Sequence, residues 1–254
     1  MPELVLDRPG LTAAAPQDAL ASSLAKLQPR TLAQQVIEAL VGAAAEGLIL
    51  PGDRIVEADL ALQLGVSRVP VREALRVLES QGVVVNEPYK GIRLTPVSPE
   101  RIDHLIEVRV ALETTAAKRA IRRGFNHGPH LDSLAGIVQE MAAMAARNDV
   151  FGFATADTNF HRTLCALAGN AVLTDMWEML ARQMTIIFGL STLGKPMAAI
   201  VDEHLRLIEV FRSGDEADMA REIEDHIDVQ IHKVDIENII AERRSQTAQT
   251  ANNR

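Results

Sequence analysis

A chain of 254 residues with 47% apolar content is long enough for one or two domains with a substantial core. Its formal charge of −8 gives no general attraction for polyanions, and its single cysteine excludes an intrachain disulfide. No apolar run approaches the roughly eighteen residues of a membrane-spanning helix, so the expectation is a cytoplasmic protein with no membrane partner.

Residues 1–30 have neither a basic start nor a continuous apolar segment of leader length, and they read as a disordered tail. From Thr31, a capping-box partner for Gln34, an apolar stripe of Val36, Ile37, Leu40 and Ala44 predicts a helix that Gly47 and Pro51-Gly52 end. A second short helix over 57–64 carries Leu60, Ala61 and Leu64 on one side. Gly65 permits its stop, and Ser67 suits the N-cap of a third helix. In that third helix Val71, Leu75 and Leu78 face a core, while Arg68, Val69, Arg72 and Arg76 are left outside. Residues 83–86 and 91–94 read as two short strands joined by Glu87-Pro88-Tyr89-Lys90. Residues 31–97 thus form a winged helix-turn-helix with a small β-hairpin wing.

Guanidinium groups on the first turns of an exposed helix can fork onto guanine edges or clasp phosphates, and Arg68 and Arg72 are the best placed to do so. Exposed arginines are also often merely solvated. Residues 31–97 hold six Lys and Arg against eight Asp and Glu, so the basic footprint usual in a DNA-binding domain is missing. Binding would rest on a few placed contacts, doubled in a homodimer on a palindromic site.

Leu48, Pro51-Gly52, Leu60-Ala61, Gly65-Val66-Ser67-Arg68, Pro70-Val71-Arg72-Glu73-Ala74-Leu75, Leu78-Glu79 and Gly82 resemble the DNA-binding domain of the bacterial GntR-family transcription regulators. The resemblance implies that Ser67, Arg68 and Arg72 contact operator DNA with the wing tip at Lys90 and Gly91; Val69 shares their exposed face. Ala58 stands where the family's fatty-acid-responsive branch often has another operator-contacting arginine, so operator sequence does not carry over from that branch.

Beyond Pro96 the pattern is helical. Ser98-Pro99 opens a helix to about Arg123, and five more follow at about 129–147, 150–168, 171–190, 196–213 and 215–244. Six or seven helices would form an antiparallel bundle over residues 98–245, with 246–254 a frayed tail, making the chain mostly α.

Within this bundle, Asp157 and His161 lie four apart beside Phe153, Phe160 and Leu164. His204 shares a face with Ile200, Leu207 and Phe211, and His226 with Met219 and Ile223. One inward histidine is usually a hydrogen-bonded core residue. Three with an aspartate are costly to bury unless they satisfy one another or share an ion. Imidazole and carboxylate donors suit a divalent transition metal, with zinc first and nickel, iron or manganese as alternatives.

Asp157-x-x-Phe160-His161, Asn170, Glu203-His204 and His226 also resemble the metal-binding pattern of the FCD effector domain found in the FadR subfamily of these regulators. That resemblance implies a metal held by Asp157, His161, His204 and His226; six helices would point to its vanillate-regulator branch. Arg109 falls on a largely buried helix face and needs an anion, which either Glu113 four residues on or a small organic acid could supply. In the family an arginine at this Arg-x-x-x-Glu position often contacts the effector carboxylate.

The basic cluster Lys118, Arg119, Arg122 and Arg123 reads as a solvated helix end, and Met141, Met144, Met176, Met179 and Met184 as core filler. The expected whole is a homodimeric bacterial repressor whose operator affinity responds to a small carboxylate at a metal centre, and not an enzyme. Two alternatives stay open: a regulator sensing the metal itself, and a metal hydrolase with Glu203 or Glu113 as general base.

Overall fold

The computed structural model describes residues 30–229 and 231–252, so the tail expected at the N-terminus lies, but for Arg30, outside the described residues. Helix α1 (Leu32–Ala45) buries its apolar stripe beside α2 (Glu57–Leu64) and α3 (Arg68–Ser80). Gly65 ends α2 in the left-handed conformation at φ 64°, where a Cβ would be strained. Ser67 holds the extended N-cap backbone of α3, but its hydroxyl makes no capping bond. Strands β1 (Val84–Glu87) and β2 (Gly91–Leu94) pair antiparallel with Val84 opposite Leu94. Val83, expected to open β1, instead donates to Leu78 O at 2.9 Å and closes α3, which moves the strand on by one residue.

The remaining helices are α4 (Pro99–Arg122), α5 (Gly128–Ala146), α6 (Val150–Leu167), α7 (Ala171–Ser191), α8 (Met197–Ser213), α9 (Glu216–Glu224) and α10 (Ile236–Asn252). Ser98, Asp149, Asn170 and Asp215 each accept a backbone N–H at the start of α4, α6, α7 and α9, so the polar residues at the breaks act as caps. The single helix expected over 215–244 is two. A π-helical turn (Asp225–Val229) follows α9, and Asp235 Oδ1 accepts from Asn238 N to start α10. Helix α10 then runs through the segment expected to fray from residue 246, as far as Asn252. Seven helices therefore follow the wing among the described residues.

Helix α7 belongs to two cores. Met184, Ile187 and Phe188 pack in the bundle, while Ile186 and Leu190 join Val36, Leu40, Leu75 and Leu78 in the winged domain. At Gly189 the helix meets α1 so closely that a Cβ would lie 2.5 Å from Ala45 O. Gln183 donates to Gln81 O at 2.8 Å and accepts from Arg101 at 2.7 Å, fastening the same helix to the end of α3. From the C-terminal side, Arg244 of α10 donates to Pro51 O at 2.5 Å.

Two surface expectations need correction. The arginines ending α4 are engaged: Arg119 donates to Ala168 O at the end of α6, Arg122 is bidentate to Glu216, and Arg123 lies over Phe125. They stitch helix ends together. Met141 and Met184 are core residues, but Met176 and Met179 are about half exposed beside exposed Val172, leaving an apolar strip along α7.

Candidate functional site

Helix α6 places Asp157 and His161 one turn apart, α8 supplies His204, and the π-helical turn swings His226 towards them. Nε2 of His161 lies 3.3 Å from Nε2 of His204 and 3.3 Å from Nε2 of His226. Their outer nitrogens fix the tautomers of two rings. His204 Nδ1 must donate to the carbonyl of Ile200 at 2.8 Å, and His161 Nδ1 donates to Glu113 Oε2 at 2.6 Å. Both Nε2 atoms of these neutral rings are then bare lone pairs directed at one another, and they gain nothing from contact without a shared cation.

Burial enforces that neutrality, lowering His204 to about 4 and His161 and His226 well below the ordinary histidine value. Asp157 Oδ1, 3.5 Å from His161 Nε2 and 3.8 Å from His204 Nε2, is buried without a hydrogen-bond partner; burial pushes this carboxyl up to about 7. His226 is half-buried as a residue, and its Nδ1 is shut off from solvent with no partner.

Three nitrogens and an orphaned carboxylate oxygen fit a divalent ion. Metal–nitrogen bonds of about 2.0–2.1 Å in tetrahedral array put ligand nitrogens about 3.3 Å apart. The bonds from His161 to Glu113 and from His204 to Ile200 are of the kind that orient imidazoles in metal sites.

Arg109, only 5% exposed, lines the same pocket with Phe188, Ser191, Lys195, Ile200 and Ile227. Its Nε donates to Glu113 Oε1 at 2.6 Å, so the internal pair anticipated from spacing is present. Glu113 is fully buried; burial pushes its pKa up, and the adjacent guanidinium opposes that shift. The pair does not exhaust the arginine, whose Nη2 is buried without a partner. A pocket with an unmet guanidinium donor beside a cluster of potential metal ligands is suited to an anion. Neither carboxylate considered as a general base is free: Glu113 serves Arg109 and His161, and Glu203 pairs with Lys195.

On the winged domain, Arg68, Val69, Arg72 and Arg76 are exposed along α3, and Ser67 precedes them. Lys90 is exposed at the wing tip and pairs with Glu87 at 3.0 Å, while Gly91 turns the chain at φ 81°. Two features escaped the sequence reading. Tyr89 is fully exposed at the wing tip with φ 65°, and Arg72 Nε donates to Glu57 Oε2 at 2.8 Å across the helix-turn-helix. The acidic first turn of α2 was the only signal for the second.

Two known families match successive parts of this chain. The family described as "Bacterial regulatory proteins, gntR family" matches residues 32–94, and the FCD domain matches residues 104–229. The probable D-xylose utilization operon transcriptional repressor of Paenarthrobacter nicotinovorans is 29% identical over 190 residues, 75% of this chain and 83% of its own. The gluconate operon transcriptional repressor of Bacillus subtilis is 26% identical over 195 residues, 74% of this chain and 79% of its own. Among solved structures, E. coli McbR/YncC superposes with a TM-score of 0.63 at 22% identity, covering 85% of this chain and 99% of that one. Both of these curated relatives are named as transcriptional repressors.

Proposed function

This chain belongs to the GntR family of bacterial regulatory proteins and carries an FCD domain, and on that premise we propose that it is a repressor released or retained on its operator by a small carboxylate. DNA-binding transcription regulation comes with the family. The observation carrying the finer reading is that the converging lone pairs of His161 and His204 open into the same pocket as the unpartnered Nη2 of Arg109. His161, His204, His226 and Asp157 would hold a divalent ion, zinc first, which when bound supplies a fixed positive charge for a carboxylate. Arg109 takes the other side of that carboxylate with Nη2, while Glu113 holds Nε and so fixes the plane of the guanidinium. Phe188 and Ile227 exclude water around it.

Transmission follows from α7. Phe188 and Ser191 line the pocket, and Gly189 between them touches α1 with no room for a Cβ. A ligand favouring one seat of this helix shifts the winged domain only through its differential affinity for the two arrangements. Repression is supported by the names of both repressor relatives. A homodimer on a palindrome is supported by the exposed strip of Val172, Met176 and Met179, which offers a second copy an apolar face. On DNA, Ser67, Arg68, Val69 and Arg72 face the major groove, with Lys90 and Gly91 on the flanking backbone.

Metal analysis of untagged protein purified without chelators, beside a His161→Ala, His204→Ala double variant, tests the centre. About one ion per subunit, lost in the variant, is expected; none in either protein overturns it. Carboxylates are then titrated into the metal-loaded protein on its operator. If stripping the metal alone switches operator binding and no carboxylate does, the ion itself is the signal.

A further inference from the structure

We infer that Glu57 is a specificity-determining residue, which holds Arg72 in the pose that reads guanine and shares in reading the opposite base. This deepens the DNA-binding reading and rests on it. Glu57 stands in the first turn of α2, fifteen residues before Arg72, and the two meet only because the helix-turn-helix folds α2 across the start of α3. The contact uses one edge of each group: Arg72 Nε donates to Glu57 Oε2 at 2.8 Å.

An arginine tethered through Nε keeps both terminal nitrogens for a second partner, and that end-on fork is the one that matches O6 and N7 of guanine. Among the described residues, Arg68 and Arg76, exposed on the same helix, show no such tether. Untethered, a long exposed side chain would spread over many rotamers, and ordering it on DNA would cost side-chain entropy. Glu57 removes part of that cost before DNA arrives.

The carboxylate adds a choice of target. A negative charge beside the guanidinium is repelled by the phosphate backbone, so the pair is disfavoured where Arg72 alone would be held most easily. At a base edge the same charge is useful. Glu57 Oε1 takes no part in the contact with Arg72, and a carboxylate oxygen accepts from the exocyclic amine of cytosine. Arginine on guanine and glutamate on the paired or neighbouring cytosine would read a G·C step from both strands. This suits a domain with six basic against eight acidic residues, in which affinity cannot come from bulk charge.

The test uses the full-length protein. Duplexes selected from a random pool with wild-type protein give the operator. Affinities of wild type, Glu57→Gln, Glu57→Ala and Arg72→Ala are then measured for that operator, and for copies with each G·C pair changed to A·T, over a range of salt. At one G·C position, both Glu57 variants should lose about tenfold of the wild-type discrimination. The same position should be insensitive in Arg72→Ala. At high salt, where phosphate contacts fade, the loss should persist. If the Glu57 variants bind more tightly at every sequence with discrimination unchanged, the carboxylate is only a repulsive surface charge and the inference fails while the DNA reading stands. If Arg72→Ala binds like wild type, or wild type enriches no sequence, the DNA reading fails and takes the inference with it. Circular dichroism on each variant separates these outcomes from misfolding.

Discussion

Glu113 Oε2 lies 2.6 Å from His161 Nδ1, so a carboxylate on α4 orients a metal-ligand candidate on α6 across the core of the bundle. Its other oxygen holds Arg109. One fully buried side chain therefore ties Arg109 to the histidine cluster, so a change at either end is expected to be felt at the other. Replacing Glu113 with Gln keeps the shape but removes the charge that makes the imidazole a better donor. Metal affinity should fall about 10–100-fold, read by competition with a chromogenic chelator, with secondary structure preserved. Unchanged affinity would mean that His161 is not a ligand.

Arg109→Ala should be costly for the fold as well as for ligand binding. It strands Glu113 in the core beside Asp157, and removing one partner of a buried ion pair typically costs about 3–5 kcal/mol. Arg109→Lys restores the charge without the planar fork. Urea unfolding should show most of the loss recovered in the lysine variant, while carboxylate binding by calorimetry stays weak. Full carboxylate binding in the lysine variant would remove Arg109 from the ligand site.

Gly189→Ala introduces a Cβ 2.5 Å from Ala45 O, with backbone on the opposing side rather than a flexible chain end. Overpacking of this kind costs about 1–3 kcal/mol. The variant should melt earlier and show faster amide exchange in α1 as well as α7; exchange altered in α7 alone would contradict the shared packing.

His232 has acceptors at both ring nitrogens, Asp103 Oδ1 at 3.0 Å and Asp228 O at 2.8 Å, and the Asp103 bond above all raises its pKa above the ordinary 6.5. The sign follows from linkage: stabilisation of the turn against α4 is full below about pH 6.5 and is lost as pH rises through the higher folded midpoint. A proton NMR titration should place the His232 midpoint above 6.5 and return it towards that value in Asp103→Asn. Equal midpoints in the two proteins would dismiss the contact.

Most of the architecture was legible because local chemistry and tertiary packing agree: Gly65 stops α2, Ser98-Pro99 opens α4, and inward Phe153, Phe160 and Leu164 mark α6. The ligand candidates could be found because buried histidines interrupt apolar faces. What escaped depends on distance in sequence. Nothing local tells that Glu57 meets Arg72, that Glu113 also reaches His161, or that Arg119 ends by capping α6. The final break was hidden for another reason. The π-helical turn keeps apolar residues near helical spacing, so periodicity ran through Asp225–Val229 and on past Asp235 without showing that the chain restarts there.

The sharing of α7 has a consequence for how the protein melts. Ile186 and Leu190 are part of the winged domain's own core, so residues 30–97 cut free would be left with a cavity where those two side chains belong. The DNA-reading unit and the bundle should unfold in one cooperative transition rather than two. A ligand held in the bundle pocket would then stabilise the winged domain as well, by roughly RT ln(1 + [L]/Kd), and raise its melting temperature without touching it.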